Sequence, residues 1–139
     1  MRRHILIDTG PIVALCNHHD RYHHAVMRQL NELSPPLLTC EAVVTEACFL
    51  VDKHNKRADA VLELLENGFM AISPVVRQEI PTVRALMRKY ADVPMSFADA
   101  CLVRMAELHD DSAILTLDAD FRIYRKHGRQ HIDAMIPLE

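Results

Sequence analysis

Aromatic residues and glycine are scarce in this chain of 139 residues: Trp is absent, aromatics make up 5%, and there are three glycines. An all-β sandwich or barrel needs many glycine-rich turns and favours aromatic strands, so that class fits poorly and helices must dominate. Cysteine pairs are lacking too. Cys16, Cys40, Cys48 and Cys101 show no C-x-x-C spacing, and each lies in or beside an apolar run. The pattern reads as buried, reduced thiols of an intracellular, cytoplasmic protein, and it excludes zinc ribbons and disulfide scaffolds.

Long hydrophobic runs are also missing. The opening MRRHILIDTGPIVALC sets basic residues before apolar ones as a signal peptide does, but Asp8 and Pro11 interrupt it. Nothing approaches the roughly 20 residues of a spanning helix, so a soluble protein without a membrane partner is expected. Nor is there an excess of positive charge: the net charge is −3, so the bulk field does not attract nucleic acid and any such contact must be local.

What is present suits one compact core. Hydrophobic residues make up 50% and charged residues 25%, enough apolar material to exclude a disordered chain, and the length predicts a single domain over residues 1–139. Short apolar runs at His4 to Ile7, Leu37 to Thr39, Phe69 to Ile72 and Ala113 to Leu117 read as buried strands, with His131 to Ile136 as a fifth at an edge. Between them, helical spacing runs over Arg21 to Leu33, Glu41 to His54, Ala58 to Glu66 and Pro74 to Tyr90, the last split or restarted at Pro81. Pro11 is expected at the first position of a helix after the first strand. The clearest helix start is Ser96-Phe97-Ala98-Asp99, a hydroxyl at the N-cap and an acid three residues on. Alternating strands and helices predict an α/β sandwich on a mainly parallel sheet of about 4–5 strands, which binds ligands beyond the carboxyl ends of its strands.

That topology gathers acids. Asp8 follows Ile5-Leu6-Ile7 and Asp118 follows Ile114-Leu115-Thr116-Leu117, so both fall at the same sheet edge. Crossover helices begin there too, which brings Asp99 and Glu46 toward the same point, with Asp120, Thr9, Ser96 and Thr116 near enough to add oxygen contacts. Singly, Asp99 reads as a capping acid and Asp118 or Asp120 as a turn residue. Glu46 resists such a reading, because Ala42, Val43, Phe49 and Leu50 at helical spacing put it on the apolar stripe, where an unpaired acid is costly. Two carboxylates about 4 Å apart repel by roughly 4 kcal/mol at an effective dielectric of 20, and no adjacent Lys or Arg cancels four of them. A hard divalent cation does. Oxygen ligands alone favour Mg²⁺ or Mn²⁺ over Zn²⁺, the chemistry of metal-assisted phosphodiester hydrolysis. The HHDRYHH run with His18, His19, His23 and His24 reads instead as a solvated loop and helix start.

With these residues in place the chain resembles the PIN-domain nucleases, especially the small VapC-type toxin ribonucleases of prokaryotes. The resemblance covers nearly the whole chain and rests on ILIDTGPIVAL, VVTEACFLV, SFADACLV and ILTLDADF, in the family's order. It implies a PIN-like three-layer α/β/α sandwich and an acidic quartet of Asp8, Glu46, Asp99 and Asp118 that is both catalytic and metal-binding. Asp120 is implied as an accessory ligand, with Thr9, Ser96 and Thr116 as polar supports. The resemblance further implies Mg²⁺ or Mn²⁺, RNA as substrate, a homodimer and, for the toxin branch, an antitoxin partner. The helices around residues 21 to 33 and 57 to 67 are candidates for the dimer contact.

Lys53, Lys56 and Arg57, and then Arg122, Arg125, Lys126 and Arg129, form local basic clusters that suit phosphate contacts; neither specifies a sequence. Two other classes compete. Asp8-Thr9-Gly10 matches the D-T-G of aspartic proteases, although that fold is almost all β. A noncatalytic interaction module would keep the fold and the acids for a partner.

Overall fold

The computed structural model describes residues 3–55, 57–73 and 76–138. In chain order the elements are β1 (His4–Ile7), α1 (Thr9–Cys16), α2 (His23–Leu30), β2 (Leu37–Thr39), α3 (Glu41–Asn55), α4 (Asp59–Glu66), β3 (Met70–Ile72) and α5 (Val76–Lys89). They continue with α6 (Phe97–Leu108), β4 (Ser112–Leu115), a 3₁₀ turn (Ala119–Arg122), β5 (Arg125–Lys126), β6 (Gln130–His131) and β7 (Ala134–Met135).

Five strands form one sheet in the order β3-β2-β1-β4-β7, and every neighbouring pair is parallel. In β1, Ile5, Leu6 and Ile7 point alternately to opposite faces, yet all three are buried, as are Ala113, Ile114 and Leu115 in β4. Burial on both faces means helices cover both, the α/β/α sandwich that the alternation of elements predicts. The strand order reverses at β1, which has β2 on one side and β4 on the other. A crevice therefore opens past the carboxyl ends of β1 and β4, where parallel sheets bind their ligands.

Helix α6 directs the second half of the chain to that crevice. Ala98, Ala100, Cys101, Leu102, Val103, Met105 and Ala106 are all buried, and the helix packs on α5, β1 and β4. Its Ser96 N-cap accepts a hydrogen bond from the Asp99 amide at 3.0 Å, so the capping pattern read in the sequence sets where the helix begins.

Several boundaries differ from expectation. Helix α1 starts at Thr9 rather than Pro11, because Asp8 is its N-cap and accepts the Thr9 amide; Pro11 then lies in the first turn, where its missing N–H is harmless. The helix expected from Arg21 is shorter at both ends, since Asn17 to Asp20 forms a turn that closes on the amides of His19, Tyr22 and His23. Pro81 neither splits nor starts α5 but lies within it; packing against α6 outweighs one lost backbone hydrogen bond. Pro74 and Lys56 lie outside the described residues. The strand expected over His131 to Ile136 is two strands: β6 pairs antiparallel with β5, and only β7 joins the sheet. A mostly helical protein on a parallel sheet also removes the aspartic-protease comparison.

Candidate active site

A cavity of about 430 Å³ lies at the crevice and is lined by Asp8, Asp20, Glu46, Asp99 and Asp118 together with Thr9, Gly10, Val13, Leu50, Leu117 and Ala119. Among the described residues five carboxylates and no Lys, Arg or His face it. Gly10 lets α1 sit close to the chain beyond β4, since a Cβ there would lie 3.2 Å from the Leu117 Cβ.

Asp8 is the best fixed of the acids. It is buried; one oxygen, Oδ1, accepts the Thr9 amide at 2.7 Å and the other, Oδ2, accepts the Thr116 hydroxyl at 2.7 Å. That hydroxyl in turn accepts the Asp118 amide at 3.0 Å. Parallel register explains the arrangement: Ile7 pairs with Leu115, and the Asp8 amide donates to the Leu115 carbonyl at 3.0 Å, so the two strand ends stop side by side. Thr116 thus ties the first acid to the main chain of the last. Burial pushes the Asp8 carboxyl up to about 6, against the pull of the Thr116 and Thr9 hydrogen bonds, and the charges of Asp99 and Glu46 push the same way.

Asp99 is half-buried in the first turn of α6, and its Oδ2 accepts the Tyr124 hydroxyl at 2.9 Å. Its carboxyl is raised by burial and by the Asp118 charge, and held back by hydrogen bonds from Tyr124 and Ser96. Capping acid and pocket acid are therefore one residue in two roles, where the sequence presents them as alternatives. Asp118 caps the 3₁₀ turn by accepting the Asp120 amide at 2.9 Å.

Glu46 corrects the sequence reading. It lies at the pocket but is exposed, and Ala42, Phe49 and Leu50 around it are themselves not buried. The buried stripe of α3 is Val43, Val44, Ala47 and Val51, and Glu46 sits on the side of the helix that faces the cavity mouth. Its carboxyl is still raised, by partial burial and by the charges of Asp99 and Asp118. Asp120 is not among the residues lining the cavity; its main chain bonds to Asp118, Ile123 and Tyr124, and its charge acts on the Tyr124 hydroxyl that donates to Asp99. Ser96 lines a neighbouring groove. Of the basic residues, Arg125 is occupied with the carbonyls of Arg122, Ile123 and Tyr124, and Lys126 with that of Asp110, while Lys53, Arg57, Arg122 and Arg129 are exposed.

Two participants went unread in the sequence. Asp20 reaches the cavity from the turn between α1 and α2, a segment whose histidines obscure it. Tyr124 is fully buried, with its ring edge-on to Tyr90 and Phe121; the only local trace is the Phe121–Tyr124 spacing after Asp118.

The donor set fits a hard divalent ion. Among the described residues, the side chains facing the cavity that can ligate are oxygen donors, at least three of the acids are raised by burial and mutual charge, and no Lys, Arg or His in the lining offsets them. The buried Thr9 hydroxyl is without a hydrogen-bond partner. Among the described residues no three His, Cys, Asp or Glu side chains are gathered into a ready cage.

The PIN domain model matches residues 5–127. The chain belongs to the PIN domain family. Among solved structures, this PIN domain is similar to the Mycobacterium tuberculosis toxin VapC20, described as cleaving the sarcin–ricin loop. The TM-score is 0.76 at 19% identity, over 84% of this chain and 91% of that one. A likeness at that identity concerns the fold. No match is found among curated proteins. No helix among the described residues of this PIN domain is long and apolar enough to cross a membrane.

Proposed function

We propose that this PIN domain is a Mg²⁺- or Mn²⁺-dependent endoribonuclease, with Asp8, Glu46, Asp99 and Asp118 as its catalytic and metal-binding acids and residues 1–139 acting as one domain. The observation that carries the reading is the convergence of these acids in one cavity at the switch point of a PIN-family sheet. Held by these acids, a divalent ion would supply charge stabilisation to the phosphate and would acidify a water. Asp8 and Asp99 are the oriented acids, each held by hydroxyl donors. Thr116 keeps Asp8 and Asp118 in register. Exposed at the mouth, Glu46 is placed to exchange protons with bulk water. Asp20 adds negative charge to the cavity; Asp120 acts from outside it.

The VapC20 likeness, together with the motif resemblance, supports a toxin of a cytoplasmic toxin–antitoxin pair, with single-stranded or loop RNA as substrate, a cognate antitoxin and a homodimer. The test is cleavage of a 5′-labelled stem-loop RNA. Cleavage that requires Mg²⁺ or Mn²⁺ and stops in EDTA is expected; undiminished cleavage in EDTA rejects the metal mechanism. Light scattering tests the dimer, for which a mass near the 15.9 kDa of one chain is the contrary result.

A further inference from the structure

Beside the acidic cavity a second one of about 540 Å³ opens between the starts of α3 and α6, and Glu46 lines both. Its walls are Glu41, Ala42 and Thr45 from α3, and Ser96, Phe97 and Ala98 from the start of α6. Phe97 is 42% exposed, so the core does not account for this ring. The hydrogen-bonding capacity of the wall is specific. Ser96 Oγ accepts the Asp99 amide and its hydroxyl is engaged with the Asp99 carboxyl, while Thr45 gives its proton to the Glu41 carbonyl and can only accept. The Glu41 carboxylate is an exposed acceptor.

An apolar ring bordered by acceptors, without a Lys or Arg in the lining among the described residues, does not suit a phosphate. It suits a flat, neutral group that brings N–H donors. Single-stranded RNA presents such groups when its bases unstack, and proteins take them up on aromatic faces. Carboxylates accept from exocyclic amino groups of bases. Continuity through Glu46 places such a group next to the acids. Resting on the nuclease reading above, we propose that this groove is a nucleobase subsite, in which an unpaired base adjoining the scissile phosphate stacks on Phe97 and directs N–H donors to Glu41.

Because the chain has no Trp, Phe97→Trp puts a single tryptophan in the groove, which can be excited apart from the tyrosines. Mixed with a single-stranded RNA of about 12 nucleotides, its emission is expected to be quenched before cleavage accumulates, and an abasic residue at one position of the strand should remove the quenching. In anisotropy titrations with the same labelled RNA, Phe97→Ala should bind about tenfold more weakly and lose its sensitivity to that abasic position, with Phe97→Tyr restoring both. Glu41→Gln should weaken strands carrying amino-bearing bases more than a uridine strand. Wild-type affinity in Phe97→Ala, or affinity indifferent to abasic sites, overturns the proposal. So does a Phe97→Ala protein that falls from dimer to monomer while binding RNA unchanged, which assigns the groove to a second copy of the chain. A protein that stacks the base but never cleaves in Mg²⁺ or Mn²⁺ supports the subsite and removes the nuclease reading. Cleavage and binding unaffected by Phe97→Ala do the reverse.

Discussion

The two ends of strands β1 and β4 treat their acids in opposite ways. At the amino ends Arg3 pairs with Asp111 at 3.2 Å and with Asp133, and also donates to the Ser112 carbonyl. One guanidinium answers two carboxylates, and the hydrogen bond to Asp133 is the main reason that its own pKa is raised. At the carboxyl ends Asp8 and Asp118 meet Asp20, Glu46 and Asp99 with no basic side chain in the lining among the described residues. The same pattern of compensation recurs away from the cavity, where Arg104 joins Glu79 and Glu107, each at 3.0 Å. Arg3 and Arg104 each answer two acids, whereas among the described residues no Lys or Arg lines the switch point, so the acids there leave a place for a cation that the lining does not supply.

The largest effect should come from removing charge at the uncompensated end. Asp8→Asn or Asp99→Asn preserves size and should cut RNA cleavage at least about a hundredfold. In EDTA, the melting temperature of either variant should be equal to or above that of the wild type, because each loses a repelled charge. For Asp99→Asn the Ser96 half of the cap stays in place. A variant that melts lower in EDTA yet cleaves normally would reduce Asp99 to a cap.

Next in size is the link between the two strand ends. Thr116→Val is nearly isosteric but leaves a buried Asp8 oxygen without its donor and the Asp118 amide without its acceptor. A stability loss of about 1–3 kcal/mol in urea unfolding is expected, with slower cleavage. Unchanged unfolding would show that the bridge is incidental.

The pH dependence sharpens the contrast. In the folded protein the Asp8 carboxyl is raised from 3.8 to about 6, so between those values the native state holds more protons than the unfolded one. Stability of the metal-free protein contributed by this group therefore rises as pH falls through about 6 and is complete only below about 3.8, and Asp8→Asn should lack that contribution. Cleavage should move the other way, declining below about pH 6 as protons compete for the carboxylates. Matching pH profiles for wild type and Asp8→Asn in EDTA melts would contradict this account.

The smallest effect belongs to the compensated end. Arg3 is exposed, and Arg3→Ala should cost less than about 1 kcal/mol in unfolding and leave the cleavage rate unchanged. A cleavage defect in that variant would mean that the two ends are coupled.

How far the sequence reached can be judged from single residues. Local signals were enough for β1 and β4, whose apolar runs end at an aspartate or shortly before one, and for α6, whose Ser96 cap needs only neighbours in sequence. The convergence of Asp8, Asp99 and Asp118 followed from parallel topology, because every crossover returns the chain to the same edge. The exposure of Glu46 did not follow: helical spacing places Ala42, Phe49 and Leu50 around it, but only packing decides which apolar neighbours are covered.

By itself, then, the sequence determined the parallel α/β architecture, the order of the motifs and the edge at which the acids meet, since these depend on short-range periodicity, caps and the handed geometry of crossovers. The tertiary structure alone decided that Tyr124 donates to Asp99, that Thr116 bridges Asp8 to Asp118, that Asp20 enters the cavity while Asp120 does not, and that Phe97 stays uncovered beside them. Those outcomes are set by contacts between segments far apart in the chain and by turns without a repeating pattern, where side-chain direction is fixed by packing and not by spacing.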